Sequence, residues 1–131
     1  MDLSTSFLGL ELTSPLVCSS SPQCEDLATL RQFEEAGAGA VVLHSLFEEQ
    51  IRRESLDLNE YLEQSTESYA ESVSYFPDMS SFRLGPEGYL KHIRKAKAAL
   101  GIPVIASLNG STLGGWTEYA RRMEEAGADA L

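Results

Sequence analysis

The apolar residues of this chain fall into short continuous runs that alternate with stretches of helical period. The runs are rich in Val, Ile, Leu and Ala, and they occupy residues 16–18, 40–43, 102–106 and 128–131. Such runs are typical of strands buried on both faces of a parallel sheet. Between them, apolar side chains recur every three or four positions in 25–36, 89–100 and 117–126. The alternation of strands and helices predicts an α/β fold.

Two local patterns add detail to this prediction. Residues 7–12 alternate apolar and other side chains around Gly9, which predicts a short hairpin or an extended lead-in. An internal repeat relates 33–41 to 123–131, and both copies contain Glu-Glu-Ala-Gly-Ala. Each copy therefore predicts the end of a helix, a glycine cap and the start of a strand.

The number of β/α steps indicates a barrel. Four steps make half of a (β/α)8 TIM barrel, which typically needs about 250 residues. A last strand at 128–131 would have an unpaired edge if nothing followed it. We therefore expect residues 1–131 to be the N-terminal portion of a single barrel domain, with an acidic insertion at about 47–85. The alternative is a small open sheet that folds by itself.

Composition and charge narrow the classes of partner. A hydrophobic content of 43% is enough for a packed core. The 20 acidic and 10 basic residues give a net charge of −10, which argues against nucleic acid or an anionic membrane as a partner. The sequence has neither a leader pattern nor an apolar run of membrane-spanning length, which predicts a cytoplasmic protein. Cys18 and Cys24 lack a second pair and a His at ligand spacing, so we expect reduced thiols and no metal site.

Polar side chains follow the strand-like runs at their C-terminal ends, where α/β proteins bind small-molecule ligands. The candidate binding residues are Ser19, Ser20, Ser21, His44, Ser45, Ser107 and Asn109. Structural roles are the alternative, because serines and Asn109 could cap helices and His44 could face solvent at a strand end. His92 has charged neighbours, so we expect it to be a solvated surface residue.

Several segments resemble, in their order and spacing, the dihydroorotate dehydrogenases. They are Phe-Leu-Gly-Leu-Glu-Leu-Thr-Ser-Pro-Leu-Val at 7–17, Ala-Gly-Ala-Gly-Ala-Val-Val at 36–42, Ile-Pro-Val-Ile-Ala-Ser at 102–107 and Ala-Gly-Ala-Asp-Ala-Leu at 126–131. The resemblance implies a (β/α)8 barrel that holds FMN at its C-terminal mouth. It also implies oxidation of the CH–CH group of dihydroorotate or a related compound in pyrimidine synthesis, and a homodimer when full length.

The resemblance assigns roles to the candidates by position. Ser19–Ser21 stand where the family has an Ala-Ser-Gly turn on the flavin, and Ser107 stands where several members have a flavin-contacting Asn, with Asn109 two residues later. His44 and Ser45 stand at a Lys-Ser pair whose lysine reaches both the flavin and the substrate carboxylate. Histidine with its ordinary pKa of ~6.5 is mostly uncharged at pH 7, which predicts weak activity on dihydroorotate.

Two further comparisons with the family concern substrate and catalysis. Of the family's pyrimidine-binding segment ending in Leu-Pro-Asn, this chain keeps Pro77. The family's catalytic base, a Cys or Ser beyond the fourth strand, is expected after Leu131, and neither Cys18 nor Cys24 matches it. Two other functions remain open at this point: a different barrel enzyme, such as an aldolase or a phosphate-sugar isomerase, and a non-catalytic partner subunit.

Overall fold

The structure of the protein, a computed structural model, describes residues 2–47, 86–110 and 113–131, without the side chains of 113–116. The strands are β1 (Thr5–Phe7), β2 (Leu10–Leu12), β3 (Val17–Cys18), β4 (Ala40–Phe47) and β5 (Val104–Asn109). The helices are α1 (Leu27–Glu35), α2 (Pro86–Ala99) and α3 (Leu113–Glu125), with a 3-10 turn at Pro22–Glu25. The predicted insertion, including Pro77, lies outside the described residues apart from Phe47. Within the described part of the chain, no helix is long and apolar enough to cross a membrane.

A parallel sheet with the order β3-β4-β5 forms the centre of the fold. A parallel bridge between Ile105 and Ala130 continues the sheet beyond β5, where the fourth strand was predicted. There the Ala106 amide donates to the Ala130 carbonyl at 2.9 Å, and the Asp129 amide donates to the Val104 carbonyl at 2.9 Å. The predicted α/β fold with a parallel sheet is therefore confirmed.

The two faces of this sheet bury separate apolar clusters, because successive side chains of a strand point to opposite faces. On the helix face, strand residues such as Val41 and Val104 pack with residues of α1, α2 and α3. On the hairpin face, Ala40 and Ile105 pack against Leu12 of β2. We use the names helix face and hairpin face for these two sides below.

A bulge interrupts the regular pairing of β4 with β5. Val42 pairs with Ile105, and Ser45 pairs with Ser107. Between these two pairs β4 advances by three residues and β5 by only two, so β4 contains one extra residue. An extra residue shifts the alternation of side chains by one position. Ser45 therefore shares the hairpin face with its partner Ser107, whereas His44 is turned to the helix face.

The repeated helix-to-strand joint is present in both copies. Gly37 and Gly127 have positive φ angles of 94° and 99°, a conformation that favours glycine. In each copy the amide after the glycine donates to the carbonyl five residues back, at 3.0 Å in the first and 3.2 Å in the second. This pattern is the Schellman motif, so the predicted glycine caps are confirmed.

The N-terminal hairpin is also confirmed, and β1 pairs antiparallel with β2. Its two turn residues, Leu8 and Gly9, have φ angles of 53° and 76°, so both are left-handed as in the tight turns that match the twist of hairpins. The start predicted for the first helix was two residues early. Asp26 caps α1 by accepting from the Thr29 amide at 3.0 Å, and residues before it form the 3-10 turn instead.

Candidate functional site

Three serine hydroxyls meet near the C-terminal end of the sheet. Ser45 Oγ lies 2.7 Å from Ser107 Oγ and 3.3 Å from Ser20 Oγ. Ser45 and Ser107 are half-buried and Ser20 is exposed, so the group borders solvent. The contacts between them use two of the three hydroxyl donors, which leaves a donor and several lone pairs for a ligand. We call Ser20, Ser45 and Ser107 the hydroxyl cluster.

The strands that carry this cluster are longer than the sequence predicted. The apolar runs ended at residues 43 and 106, but β4 continues to Phe47 and β5 to Asn109. Pairing persists through Ser45–Ser107 and Phe47–Asn109 because backbone hydrogen bonds do not depend on an apolar side chain. His44, Ser45, Ser107 and Asn109 therefore lie within strands rather than in the loops after them.

A buried thiol supports the serine turn after β3. Cys24 is fully buried, and its Sγ donates to the Ser19 carbonyl at 3.5 Å and lies 3.5 Å from Ser21 Oγ. Ser21 occupies the N-cap position of the 3-10 turn, yet its side chain makes no capping hydrogen bond. The capping alternative is thus not supported for Ser21, because Asp26 performs this role for α1.

His44 lies apart from the hydroxyl cluster, against α2. Its ring meets the Tyr89 ring edge-on, with 4.9 Å between centroids, and lies 5.7 Å from the His92 ring. Burial lowers the pKa of His44, and His92 lowers it further while Glu25 opposes both. His44 is therefore neutral at pH 7. Its buried Nδ1 atom has no hydrogen-bond partner among the residues that the structure describes.

The prediction that His92 is a solvated surface residue was wrong. His92 is only 5% exposed, and its Nε2 donates to the Cys24 carbonyl at 2.7 Å. The charged neighbours in the sequence point outward, but His92 follows Tyr89 by three positions and precedes Ala96 by four, so it shares their buried side of α2. That spacing was the signal in the sequence that could have identified it.

Tyr89 makes a contact that the sequence did not predict. Its buried hydroxyl accepts from the Ser107 amide at 3.0 Å and donates to the Ser107 carbonyl at 3.3 Å. Burial raises the pKa of Tyr89 to about 12, partly offset by the hydrogen bond to Ser107, so the hydroxyl stays protonated at neutral pH. Helical spacing placed Tyr89 correctly on the buried side of α2, but it carries no information about a residue 18 positions away.

The remaining candidates lie at the margin of the site. Asn109 is exposed at the end of β5, outside the hydroxyl cluster. Cys18 and Cys24 are free thiols, and burial raises the pKa of Cys18, with Cys24 adding to the shift, which disfavours a nucleophilic thiolate. Across 2–47, 86–110 and 113–131, no group of three or more His, Cys, Asp or Glu residues could hold a metal ion.

Comparison with known proteins shows that the chain is similar along its length to a curated dihydroorotate dehydrogenase. The chain is 32% identical over 130 residues to dihydroorotate dehydrogenase B (NAD(+)), catalytic subunit, of Thermoplasma acidophilum. The match covers 99% of this chain and 40% of that protein, so the chain spans about two fifths of the length of the relative. No model of a protein family matches. The resemblance inferred from separate segments is thereby confirmed along the chain.

Proposed function

We propose that this chain, a divergent relative of the dihydroorotate dehydrogenases, is part of an FMN-dependent oxidoreductase built on a (β/α)8 barrel. The hydroxyl cluster carries the proposal. Ser20, Ser45 and Ser107 come from separate segments, and the resemblance independently assigns Ser20 and Ser107 to positions at the flavin and Ser45 to the position after the family's flavin-contacting lysine. Their hydroxyls converge at Ser45, which lies 3.3 Å from Ser20 and 2.7 Å from Ser107, as a shared ligand requires.

The distribution of helices supports a barrel over other parallel sheets. Leu30 of α1, Ile93 of α2 and Met123 of α3 all belong to the apolar cluster on the helix face. A doubly wound sheet has helices on both faces, whereas a barrel has them all on its outer side. In the proposal the hairpin face is the inner side of the barrel, and the hydroxyl cluster lies at the C-terminal mouth.

The chemistry of the cluster fits a flavin. The edge of the flavin ring presents neutral donors and acceptors, with which hydroxyls and backbone amides pair in either sense. Ser45 and Ser107 hold each other in place, and the turn at 19–21 approaches them from the next strand. These groups would orient the ring, and Asn109 would contribute a side-chain amide at the rim. When bound, FMN would accept the hydride as a CH–CH bond is oxidised to C=C, and the accompanying proton would pass to the catalytic base that the resemblance implies.

The surroundings of His44 bear on the substrate. A neutral ring that packs against Tyr89 on the helix face provides no cation for a substrate carboxylate. Loss of a charge-assisted contact of ~1.5–3 kcal/mol weakens binding about ten- to a hundredfold. The proposed substrate is therefore a compound related to dihydroorotate, with dihydroorotate itself oxidised slowly.

Ser45→Ala tests the assignment of the flavin site, because Ser45 is the central member of the hydroxyl cluster. Loss of its hydroxyl should raise the Kd for FMN about two- to tenfold, measured by quenching of flavin fluorescence. Ser6→Ala makes the same chemical change on exposed β1 and should have no effect. If the unmodified protein is folded and binds no FMN, the proposal is refuted, and a different barrel enzyme or a non-catalytic subunit is favoured.

A further inference from the structure

We propose that Tyr89 is a positioning residue that fixes β5 at Ser107 and so sets the geometry of the hydroxyl cluster. The inference rests on the proposed function, in which this cluster binds FMN. Tyr89 is on α2 and does not itself belong to the cluster. It would act on the ligand through the backbone of Ser107.

The two hydrogen bonds of the Tyr89 hydroxyl carry the argument. A phenol oxygen can accept one hydrogen bond while it donates another, and here both go to the main chain of Ser107, at 3.0 Å and 3.3 Å. These bonds lie beside the bulge, where the extra residue of β4 disrupts the ladder with β5. A side chain from α2 thus fixes the strand where strand pairing is least regular.

The same helix also fixes the serine turn on the other side of the site. One helical turn after Tyr89, His92 donates to the Cys24 carbonyl at 2.7 Å. Cys24 in turn donates to the Ser19 carbonyl. One face of α2 therefore restrains two segments that contribute hydroxyls to the cluster, β5 directly and the turn after β3 through Cys24.

The burial of Tyr89 suits a permanent restraint. Its side chain is fully buried, and its pKa of about 12 keeps the proton that donates to the Ser107 carbonyl. Its ring is held edge-on by His44 at 4.9 Å between centroids. The hydroxyl consequently has little freedom to leave Ser107 at neutral pH.

Tyr89→Phe, made in the protein that carries this chain, tests the inference with two readouts. Without flavin, the Ser107 amide should exchange its hydrogen about tenfold faster, because its acceptor is lost. With FMN, the Kd should rise about tenfold and the visible spectrum of the bound flavin should shift. Tyr119→Phe removes a hydroxyl from α3, where Tyr119 lies beneath Arg122, and should change neither readout.

The outcomes separate this inference from the proposed function. If the unmodified protein binds FMN and Tyr89→Phe matches Tyr119→Phe in both readouts, the role of Tyr89 is overturned and the flavin site is not. If the unmodified protein binds no FMN, the proposed function itself fails. If Tyr89→Phe does not fold, 3-fluorotyrosine can replace Tyr89, because it keeps the hydroxyl. Its fluorine resonance should shift when FMN binds, whereas the resonance of 3-fluorotyrosine at position 119 should not change. An unchanged resonance at position 89 with FMN bound would overturn the inference.

Discussion

At the scale of single residues, the bulge in β4 decides what His44 and Ser45 can do. The two are neighbours in the sequence, yet Ser45 contacts Ser107 while His44 packs against Tyr89. Position in the sequence identified both as candidates because they follow an apolar run. It could not assign their faces, because a bulge depends on the partner strand and leaves no mark in the local pattern.

We expect His44 to make the stability of the fold depend on pH. Burial lowers its pKa in the folded state, with His92 adding to the shift and Glu25 opposing it, so the unfolded chain takes up its proton first as pH falls. Its stabilising contribution is complete above the ordinary pKa of ~6.5 and is lost as pH falls from there toward the lower, folded-state pKa. The drop in unfolding free energy between about pH 7.5 and about pH 5.5 should therefore be larger for the unmodified protein than for His44→Gln. Denaturant titrations at both pH values measure this, and equal drops would contradict it.

At the scale of elements, the repeat predicted both helix-to-strand joints. It did not explain why the two copies have different residues two positions after the capping glycine. The first copy has Gly39 where the second has Asp129. A Cβ atom at Gly39 would lie 2.0 Å from the Ser14 carbonyl oxygen, so the backbone at Ser14 leaves no room for a side chain at position 39. Asp129 instead accepts from the Val104 amide at 2.7 Å and pairs with Lys97. Both explanations depend on residues distant in the sequence, which a local motif does not specify.

Gly39→Ala should therefore destabilise the fold, since a backbone atom is less able to move than a side chain. We expect a loss of about 1–3 kcal/mol in the free energy of unfolding, as for overpacked cores. Gly101→Ala is the matched control, because its Cβ would meet only the end of the flexible Glu34 side chain at 3.1 Å. Its effect should stay within about 0.5 kcal/mol in the same denaturant titration. A Gly39→Ala protein as stable as the control would show that the approach to Ser14 relaxes freely.

At the scale of the whole molecule, the order of strands and helices was sufficient to predict an α/β fold with a parallel sheet. The placement of α1, α2 and α3 on one face could not be read from that order, since amphipathic helices look alike whichever face they cover. For the hydroxyl cluster, too, the sequence predicted part of the arrangement and not the rest. Its members were each identifiable from position at a strand end, but their distances follow from register and from the bulge.

The last prediction concerns activity of the protein that carries this chain. It should bind FMN yet oxidise dihydroorotate at least about tenfold more slowly than the Thermoplasma acidophilum relative, because neutral His44 supplies no charge to the substrate carboxylate. This step is measured for both proteins under anaerobic conditions, as the change in flavin absorbance when dihydroorotate reduces bound FMN. The relative is the positive control. Reduction of bound FMN by dihydroorotate at a rate within about tenfold of the relative's would contradict the prediction. That result would mean that a positively charged group other than His44 binds the substrate carboxylate.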